Sequence, residues 1–419
     1  MQCLKLILYL LLMSDITKCR LCKGESLTRV IDLGEQYITS RFPVHGDWST
    51  PKIKISLSFC ESCALLQTSQ TTNASDMYEQ EYGYRSGINT TMRSHLKAYQ
   101  EEILTKVTLQ EGDCVLDIGS NDSTMLQYYN PNLLRVGVDP TGKQFREYYG
   151  SVNLIADYFT KNNFRSVYPT QKCKVVSSIS MFYDLPDPVE FARDVYEILD
   201  DEGIWTCEQS YLPSMLKTNS IDTICHEHLE YYSVHQIKLI ADMANFKICN
   251  LSFNKCNGGS FRIYLAKKES ITHIELKDEL QRILNEEIYL KNKSVYNDFI
   301  SNVGIQINKL KAYIEDLKTA NKEIWIYGAS TKGNCLLQYA NIDHTQIRYA
   351  VERNPDKVGK MTSTGIPIIS EETMRKNPPA ALLVLPWHFR DEIIVRENDY
   401  LKMGGAIVFP FPEFNVITT

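Results

Sequence analysis

The chain has 419 residues, of which 43% are hydrophobic and 23% charged, with a formal net charge of −6. Its length allows two or three domains at roughly 100–200 residues each. The balanced composition is that of a globular protein, and no apolar run reaches the length of a membrane span. An acidic balance without a Lys/Arg cluster interleaved with aromatics argues against a nucleic-acid partner.

Leu4 to Leu12, with Lys5 inside, resembles the apolar centre of a signal peptide, yet no small-residue cleavage site follows and Met13-Ser14-Asp15 reads as a native start. The first twelve residues are therefore read as an upstream extension or a frayed tail. Residues 17–70 form short β-like runs with turns, and they hold the first chemical signal. Four of the twelve cysteines fall into Cys19-x-x-Cys22 and Cys60-x-x-Cys63. Two tight turns can present four thiolates to one Zn²⁺, a closed site that supplies folding energy to a small module and leaves no position for catalysis. Thiolate ligands need a reducing compartment, which places the chain in the cytoplasm. The expected zinc module spans 13–75.

A Tyr-rich segment from Met77 leads to a helix expected over Thr91–Lys106. Apolar runs at Cys114–Ile118, Leu134–Asp139, Asn153–Ala156, Cys173–Ile179 and Gly203–Glu208, separated by helix-length segments, predict a doubly wound α/β sheet. With a further strand at Phe261–Ala266, this domain is expected over 76–270. The charged, amphipathic stretch 271–320, interrupted only by Gly304, reads as helices bridging two domains. Strands resume at Glu323–Tyr327, Ile347–Val351, Ala381–Leu385 and Gly405–Phe409, a second and smaller α/β sheet over 321–419.

Val115-Leu116-Asp117-Ile118-Gly119-Ser120-Asn121-Asp122 is a buried strand running into a one-glycine loop, with a helix expected over Ser123–Tyr129. A dinucleotide would want the fuller GxGxxG facing its pyrophosphate, so NAD is disfavoured. Asp117 and Asp122 beside the loop suit a cationic, phosphate-free ligand, with Gly119 and Asn121 giving close backbone approach. Asp139, ending the next strand about 20 residues on, is placed to take ribose hydroxyls. Asp157-Tyr158-Phe159 puts a carboxylate and aromatics where an adenine would lie. In the last domain, Gly328 and Gly333 flank a strand-to-helix turn with Ser330, Thr331 and Lys332, able to offer N–H groups and an ammonium to a pyrophosphate. It is not a Walker loop, because the GK[ST] ending is missing. Glu352 after the following strand could take a ribose hydroxyl.

From Cys19 to about Pro412 the chain resembles the class I, S-adenosylmethionine-dependent sugar C-methyltransferases, which act on nucleotide-activated keto-deoxysugars. The motifs that carry the resemblance are the CxxC pairs, Glu81-Tyr82-Gly83-Tyr84, the Asp117–Asp122 loop, His226-Glu227-His228, Gly258-Gly259 and Tyr327-Gly328-Ala329-Ser330-Thr331-Lys332-Gly333-Asn334. The resemblance implies an α/β protein with a central class I methyltransferase (Rossmann-like) domain, a small N-terminal zinc-binding module and a second, smaller Rossmann-like C-terminal domain that helps hold a nucleotide sugar. It implies S-adenosyl-L-methionine and structural Zn²⁺ as cofactors, and matches the family's pocket tyrosine to Tyr82 and its Glu-His pair to Glu227 and His228. Two positions depart: Asp184 stands where some members carry a histidine, and Cys225 replaces a tyrosine.

Methylating carbon requires a carbon nucleophile, most easily an enolate formed by removing a proton beside a ketone. His228 is the expected base, Glu227 orients an imidazole or binds a sugar hydroxyl, Tyr82 donates to the enolate, and His226 joins the substrate pocket. If Cys225–Tyr231 is extended before a helix opened by Ser233, alternation puts both histidines on one face and Glu227 on the other, so shared duty needs a bend. The competing readings are an O-methyltransferase on a related sugar, where the same histidine would deprotonate a hydroxyl, a nucleotide-sugar oxidoreductase, and a zinc adaptor without catalysis.

Overall fold

The structure is a computed structural model that describes residues 15–47, 50–72, 77 and 84–419. The apolar stretch Leu4–Leu12, the Met13 start and Glu81-Tyr82-Gly83 lie outside the described residues. The strands are β1 (Leu27–Tyr37), β2 (Lys52–Cys60), β3 (Leu66–Thr68), β4 (Cys114–Ile118), β5 (Leu134–Val138), β6 (Asn153–Ile155), β7 (Cys173–Ile179), β8 (Leu199–Ser210) and β9 (Glu230–Tyr231). After these come β10 (Phe246–Asn254), β11 (Ser260–Lys267), β12 (Ile324–Tyr327), β13 (Ala350–Glu352), β14 (Ile368–Ser370), β15 (Ala381–Val384), β16 (Ala406–Phe409) and β17 (Asn415–Ile417).

They form three sheets, and the pairing explains the sequence patterns. The largest runs β10-β11-β8-β7-β4-β5-β6, parallel from β8 to β6 and closed at the other edge by the antiparallel β11 and β10. β4 is buried at every position, as expected of a parallel strand covered on both faces. The C-terminal sheet runs β14-β13-β12-β15-β16-β17, parallel except for β17. Strand order reverses at β12, which makes the crevice beyond the ends of β12 and β15 the ligand position of such a sheet. The N-terminal sheet is antiparallel, β1-β2-β3-β9, and its last member comes from far along the chain: Gln67 pairs with Glu230 and Leu66 with Tyr231.

The bridging region forms helices at Asp278–Glu286 and Ser294–Thr319. The second carries Tyr296, Phe299, Val303, Ile307, Leu310 and Ile314 on a buried face, the 3–4 spacing of an amphipathic helix. That face belongs to one apolar core with β2 and the whole C-terminal sheet. A second core joins the four zinc-module cysteines to the central strands.

Several expectations need correction. The segment Ser123–Tyr129 is a loop with a single 3₁₀ turn at Leu126–Tyr128, because Asn121 and Ser123 take φ of 50° and 60° and turn the chain out of helical register. The second C-terminal strand begins at Ala350 rather than Ile347, and β8 is longer than Gly203–Glu208. Cys225–Tyr231 is extended only at Glu230 and Tyr231, with bends at His226 and Glu227. Gly304 sits inside the long helix without breaking it. The strand β10 was not anticipated; its Lys, Cys and Asn residues hide the apolar alternation in the sequence.

Candidate active site

β4, β5, β7 and β8 are parallel, so their carboxyl ends lie along one edge of the central sheet, where an open α/β sheet has its ligand crevice, and the loop after β4 starts there. Gly119 takes φ of 75°, and a Cβ there would stand 2.9 Å from Met181 Cγ, so this position accepts glycine alone without a shift of the loop. Asp117 is buried at the end of β4, accepts from Ser177 Oγ at 2.6 Å, and is pushed up to about 7 by burial and by the charge of Asp139, against the pull of the Ser177 bond. Asp139 receives Asn121 N at 2.7 Å on one oxygen, and Thr141 N and Oγ1, both at 2.6 Å, on the other. A carboxylate has about four lone-pair sites, so one remains for a ligand hydroxyl. Asp157 is exposed and accepts the N–H of Tyr158 at 2.7 Å, which puts both beyond the end of β6 at the rim of the cleft.

The side chain of Asn121 is turned to the protein. Its Oδ1 accepts Ser86 N at 2.9 Å and its Nδ2 donates to Tyr84 O at 3.2 Å. Asp122 accepts Gly87 N at 2.9 Å and lies beside Arg85. The loop thus holds down residues 84–87, and the Asn121 amide is spent on that segment.

The His226–His228 tripeptide crosses from one sheet to another, and the bend separates its members. His226 is buried against the zinc module and donates from Nε2 to Ile53 O at 3.1 Å, which takes it away from the cleft. Glu227 is buried too; Thr39 Oγ1 donates to its Oε2 at 3.4 Å, and its Oε1 meets no hydrogen-bond partner among the described residues. His228 alone of residues 221–230 is partly exposed. Its Nδ1 lies 2.7 Å from Thr223 O, and since a carbonyl only accepts, Nδ1 carries the hydrogen and Nε2 is left with a lone pair. The ring packs on Tyr183 at 4.2 Å between centroids. Burial pushes His228 down to about 4, the Glu227 charge opposing and the Lys332 charge assisting. The imidazole is therefore neutral at pH 7, the form a general base needs.

Two further contacts tie the residues just after this tripeptide to the module. Thr68 N donates to Leu229 O at 2.8 Å, and Arg20, between the first two cysteines, is buried beside Glu230 at 3.7 Å while donating to Thr68 O at 2.7 Å. The cysteines themselves converge. Cys19 Sγ and Cys63 Sγ are 3.6 Å apart, Cys22 Sγ and Cys60 Sγ 3.5 Å, and all four lie within 4.8 Å of one another. Gln67 Nε2 donates to Cys19 Sγ at 3.2 Å. Such converging thiols, with an N–H directed at sulfur, fit a tetrahedral zinc that holds two turns together without an open position.

The C-terminal domain packs against the central one. Ser330 caps the helix Thr331–Tyr339 by accepting Gly333 N at 3.0 Å. Lys332 leaves that helix and donates to Asn257 O at 2.9 Å in the central domain, with Thr223 Oγ1 at 3.5 Å. Glu352 accepts the N–H groups of Arg353 and Asn354 at 2.8 and 3.0 Å and ends its own strand. Cys225 is buried against Cys335 of the same helix. The space that the absent tyrosine would fill is thus part of a domain contact. Sequence reasoning missed Thr223, Tyr183 and the pair His95–Glu208, whose Nε2–Oε1 distance is 2.5 Å. Arg262 holds the second oxygen of Glu208 at 2.6 Å, so with His95 this is an ion-pair network at the end of β8. Ser180, a non-glycine residue at φ 52° just after β7, was the detectable kind of signal only once the backbone was known.

The parallel sheet with its antiparallel edge hairpin and a one-glycine loop after β4 is the fold of an S-adenosylmethionine-dependent methyltransferase. Three family models tile the chain: "Putative zinc binding domain" over residues 19–78, "Methyltransferase domain" over 89–251 and "C-methyltransferase C-terminal domain" over 255–412. Together the three matches run from residue 19 to residue 412 with only short gaps between them. It is 25% identical to C-methyltransferase NovU of Streptomyces niveus over 415 residues, which is 96% of this chain and 97% of that one. A solved S-adenosylmethionine-dependent methyltransferase from Clostridium acetobutylicum superposes with a TM-score of 0.34 at 9% identity, covering 42% of this chain and 92% of its own. Another, from Aquifex aeolicus, gives 0.30 at 16% identity, covering 41% and 97%. No helix of the described residues is long and apolar enough to cross a membrane.

Proposed function

We propose that the chain transfers the methyl group of S-adenosylmethionine to a carbon next to the keto group of a nucleotide-linked deoxysugar, in the cytoplasm. When bound, the donor supplies an electrophilic methyl on a sulfonium. Gly119 and the backbone of Asn121 let the donor approach the loop, Asp139 takes a ribose hydroxyl, Asp117 sets a negative potential below it, and Asp157 with Tyr158 borders the adenine. His228 Nε2 withdraws the proton beside the ketone, Glu227 holds a sugar hydroxyl through its unpaired oxygen, and Tyr82 donates to the ketone oxygen. The nucleotide lies toward Ser330 and Glu352.

The observation that carries this reading is the geometry of His228: a neutral imidazole, fixed in one tautomer by Thr223 O, is the one partly exposed residue of a buried turn. Neither sheet carries a dinucleotide fingerprint, so a nucleotide-sugar oxidoreductase is not favoured. O-methylation would use the same base; the match to a C-methyltransferase C-terminal domain and the likeness to NovU favour carbon.

The test is incubation of the zinc-loaded protein with methyl-labelled S-adenosylmethionine and a panel of nucleoside-diphosphate keto-deoxysugars. The expected product gains one methyl on carbon, read by mass and by carbon NMR. Methyl on oxygen would select the alternative, and donor binding without any transfer to the panel would reject a nucleotide-sugar acceptor.

A further inference from the structure

Lys332 sits on the C-terminal domain but spends its hydrogen bonds on the central one. Its Nζ donates to Asn257 O at 2.9 Å and reaches Thr223 Oγ1 at 3.5 Å. The carbonyl of that same Thr223 accepts the Nδ1–H of His228 at 2.7 Å. One residue therefore stands between the ammonium and the imidazole. Both partners of Lys332 are neutral acceptors, an ammonium has three donors, and the side chain is only partly buried, so one N–H remains for a ligand. The positive charge is felt around the cleft: it assists the lowering of His228 and His388 and opposes the burial that raises Asp222. Asp222 is itself buried with its Oδ2 taken by Trp387 Nε1 at 2.9 Å.

The motif around Lys332 suggested a pyrophosphate ligand, but the local structure points the side chain elsewhere. Ser330 Oγ already occupies Gly333 N at the start of the helix. Lys332 lies across Asn257 and Thr223, beside the base, rather than over the crevice of its own sheet.

We infer that Lys332 is a catalytic residue whose ammonium receives the negative charge that develops on the acceptor's keto oxygen as His228 withdraws the neighbouring proton. The inference rests on the enolate reading of the preceding subsection. In this half-step the C–H bond breaks and the proton goes to His228 Nε2. The C–H electron pair forms the carbon–carbon double bond, and the carbonyl π pair moves onto oxygen, where the Lys332 N–H meets it. A preplaced cation in a water-poor cleft costs no reorganisation as charge builds, and a single such donor contributes about 10²–10³ in rate. The same cation disfavours protonation of the free base, so one residue both keeps His228 ready and holds the product of its action.

Two measurements on the full-length zinc-loaded protein test this. The first needs no acceptor: NMR pH titration of labelled histidine, with the His228 signal assigned by its loss in His228→Asn. In Lys332→Met the His228 midpoint should move up toward the ordinary histidine range, whereas an unmoved midpoint overturns the placement. The second is deuterium uptake beside the ketone of thymidine-, guanosine- and cytidine-diphosphate 4-keto-6-deoxyhexoses in D₂O with S-adenosylhomocysteine bound. Lys332→Met should lower uptake 100-fold or more, Lys332→Arg should restore part of it, and both should bind S-adenosylhomocysteine like wild type. Normal uptake with a raised KM in Lys332→Met would overturn the inference and make the residue a phosphate ligand. If wild type shows neither uptake nor methylation, the enolate reading falls, and the titration alone decides whether Lys332 shares the site of His228.

Discussion

Gly119→Ala separates donor binding from general stability. At φ 75° an alanine pays about 1–2 kcal/mol for the left-handed conformation, and its Cβ would lie 2.9 Å from Met181 Cγ. That contact forces the loop or Met181 to move, at about 1–3 kcal/mol as in other overpacked sites. Gly112 is the internal control: it has φ 84° with nothing within 4 Å of an added Cβ, so Gly112→Ala carries the backbone cost alone. The difference between the two variants is the contact, about 1–3 kcal/mol, or a few degrees in Tm for a domain of this size. Because the displaced loop is the proposed floor of the donor site, S-adenosylhomocysteine affinity should fall tenfold or more in Gly119→Ala and stay unchanged in Gly112→Ala. Differential scanning fluorimetry and calorimetric titration read the two effects. Wild-type affinity in Gly119→Ala, with the Tm loss present, would refute the reasoning that the donor rests on this loop.

His228→Asn should lower turnover about 10²–10⁴-fold with S-adenosylhomocysteine affinity within twofold of wild type, read by product mass and calorimetry. Because burial holds His228 at about 4, the acid limb of kcat/KM should lie well below the ordinary histidine range, with activity level from pH 8 to about 5.5. The same shift has a stability sign. A histidine depressed in the fold contributes stability that is present above about 6.5 and is lost as pH falls through about 4, so acid unfolding should begin in that window and be delayed in His228→Asn. Arg20→Met removes the guanidinium from beside the buried Glu230 and from the carbonyls of Thr68 and Gln70 and should cost about 3–5 kcal/mol; Glu230→Met does not replace those two donors, so the double variant should recover only part of the loss, read by denaturant titration of the four-member cycle.

The parts of the fold most legible in the sequence were those where period and burial agree. β4 and β7 run over the residues their mainly apolar, β-branched pattern indicates, and Ser233 opens its helix with the capping box that Gln236 completes. The two CxxC turns were equally clear, because the metal demands that spacing and the left-handed residues Lys23 and Ala64 follow each turn. What could not be read was whatever depends on long-range placement. His226 and His228 look alike in sequence, yet a bend sends one to Ile53 and the other to Thr223. Asn121 sits in the donor loop but spends its amide on Tyr84 and Ser86. The pairing of β9 with β3 joins residues 66–67 to 230–231, and no local pattern encodes it. Lys332 read as part of its own turn because the motif is local, whereas its partners lie at positions 223 and 257.

The central claim, a methyl-donor site on the Asp117–Asp139 cleft, is tested most directly by calorimetric titration with S-adenosylhomocysteine of the zinc-loaded protein and of Asp139→Ala, beside NADH as a rival. Asp139 holds both Asn121 N and the Thr141 pair, so its removal takes away a ligand site and loosens the loop together. The expected result is binding in the micromolar range, weakened tenfold or more in Asp139→Ala, with NADH silent. Absence of S-adenosylhomocysteine binding, equal binding in the variant, or binding of NADH in its place would contradict the claim.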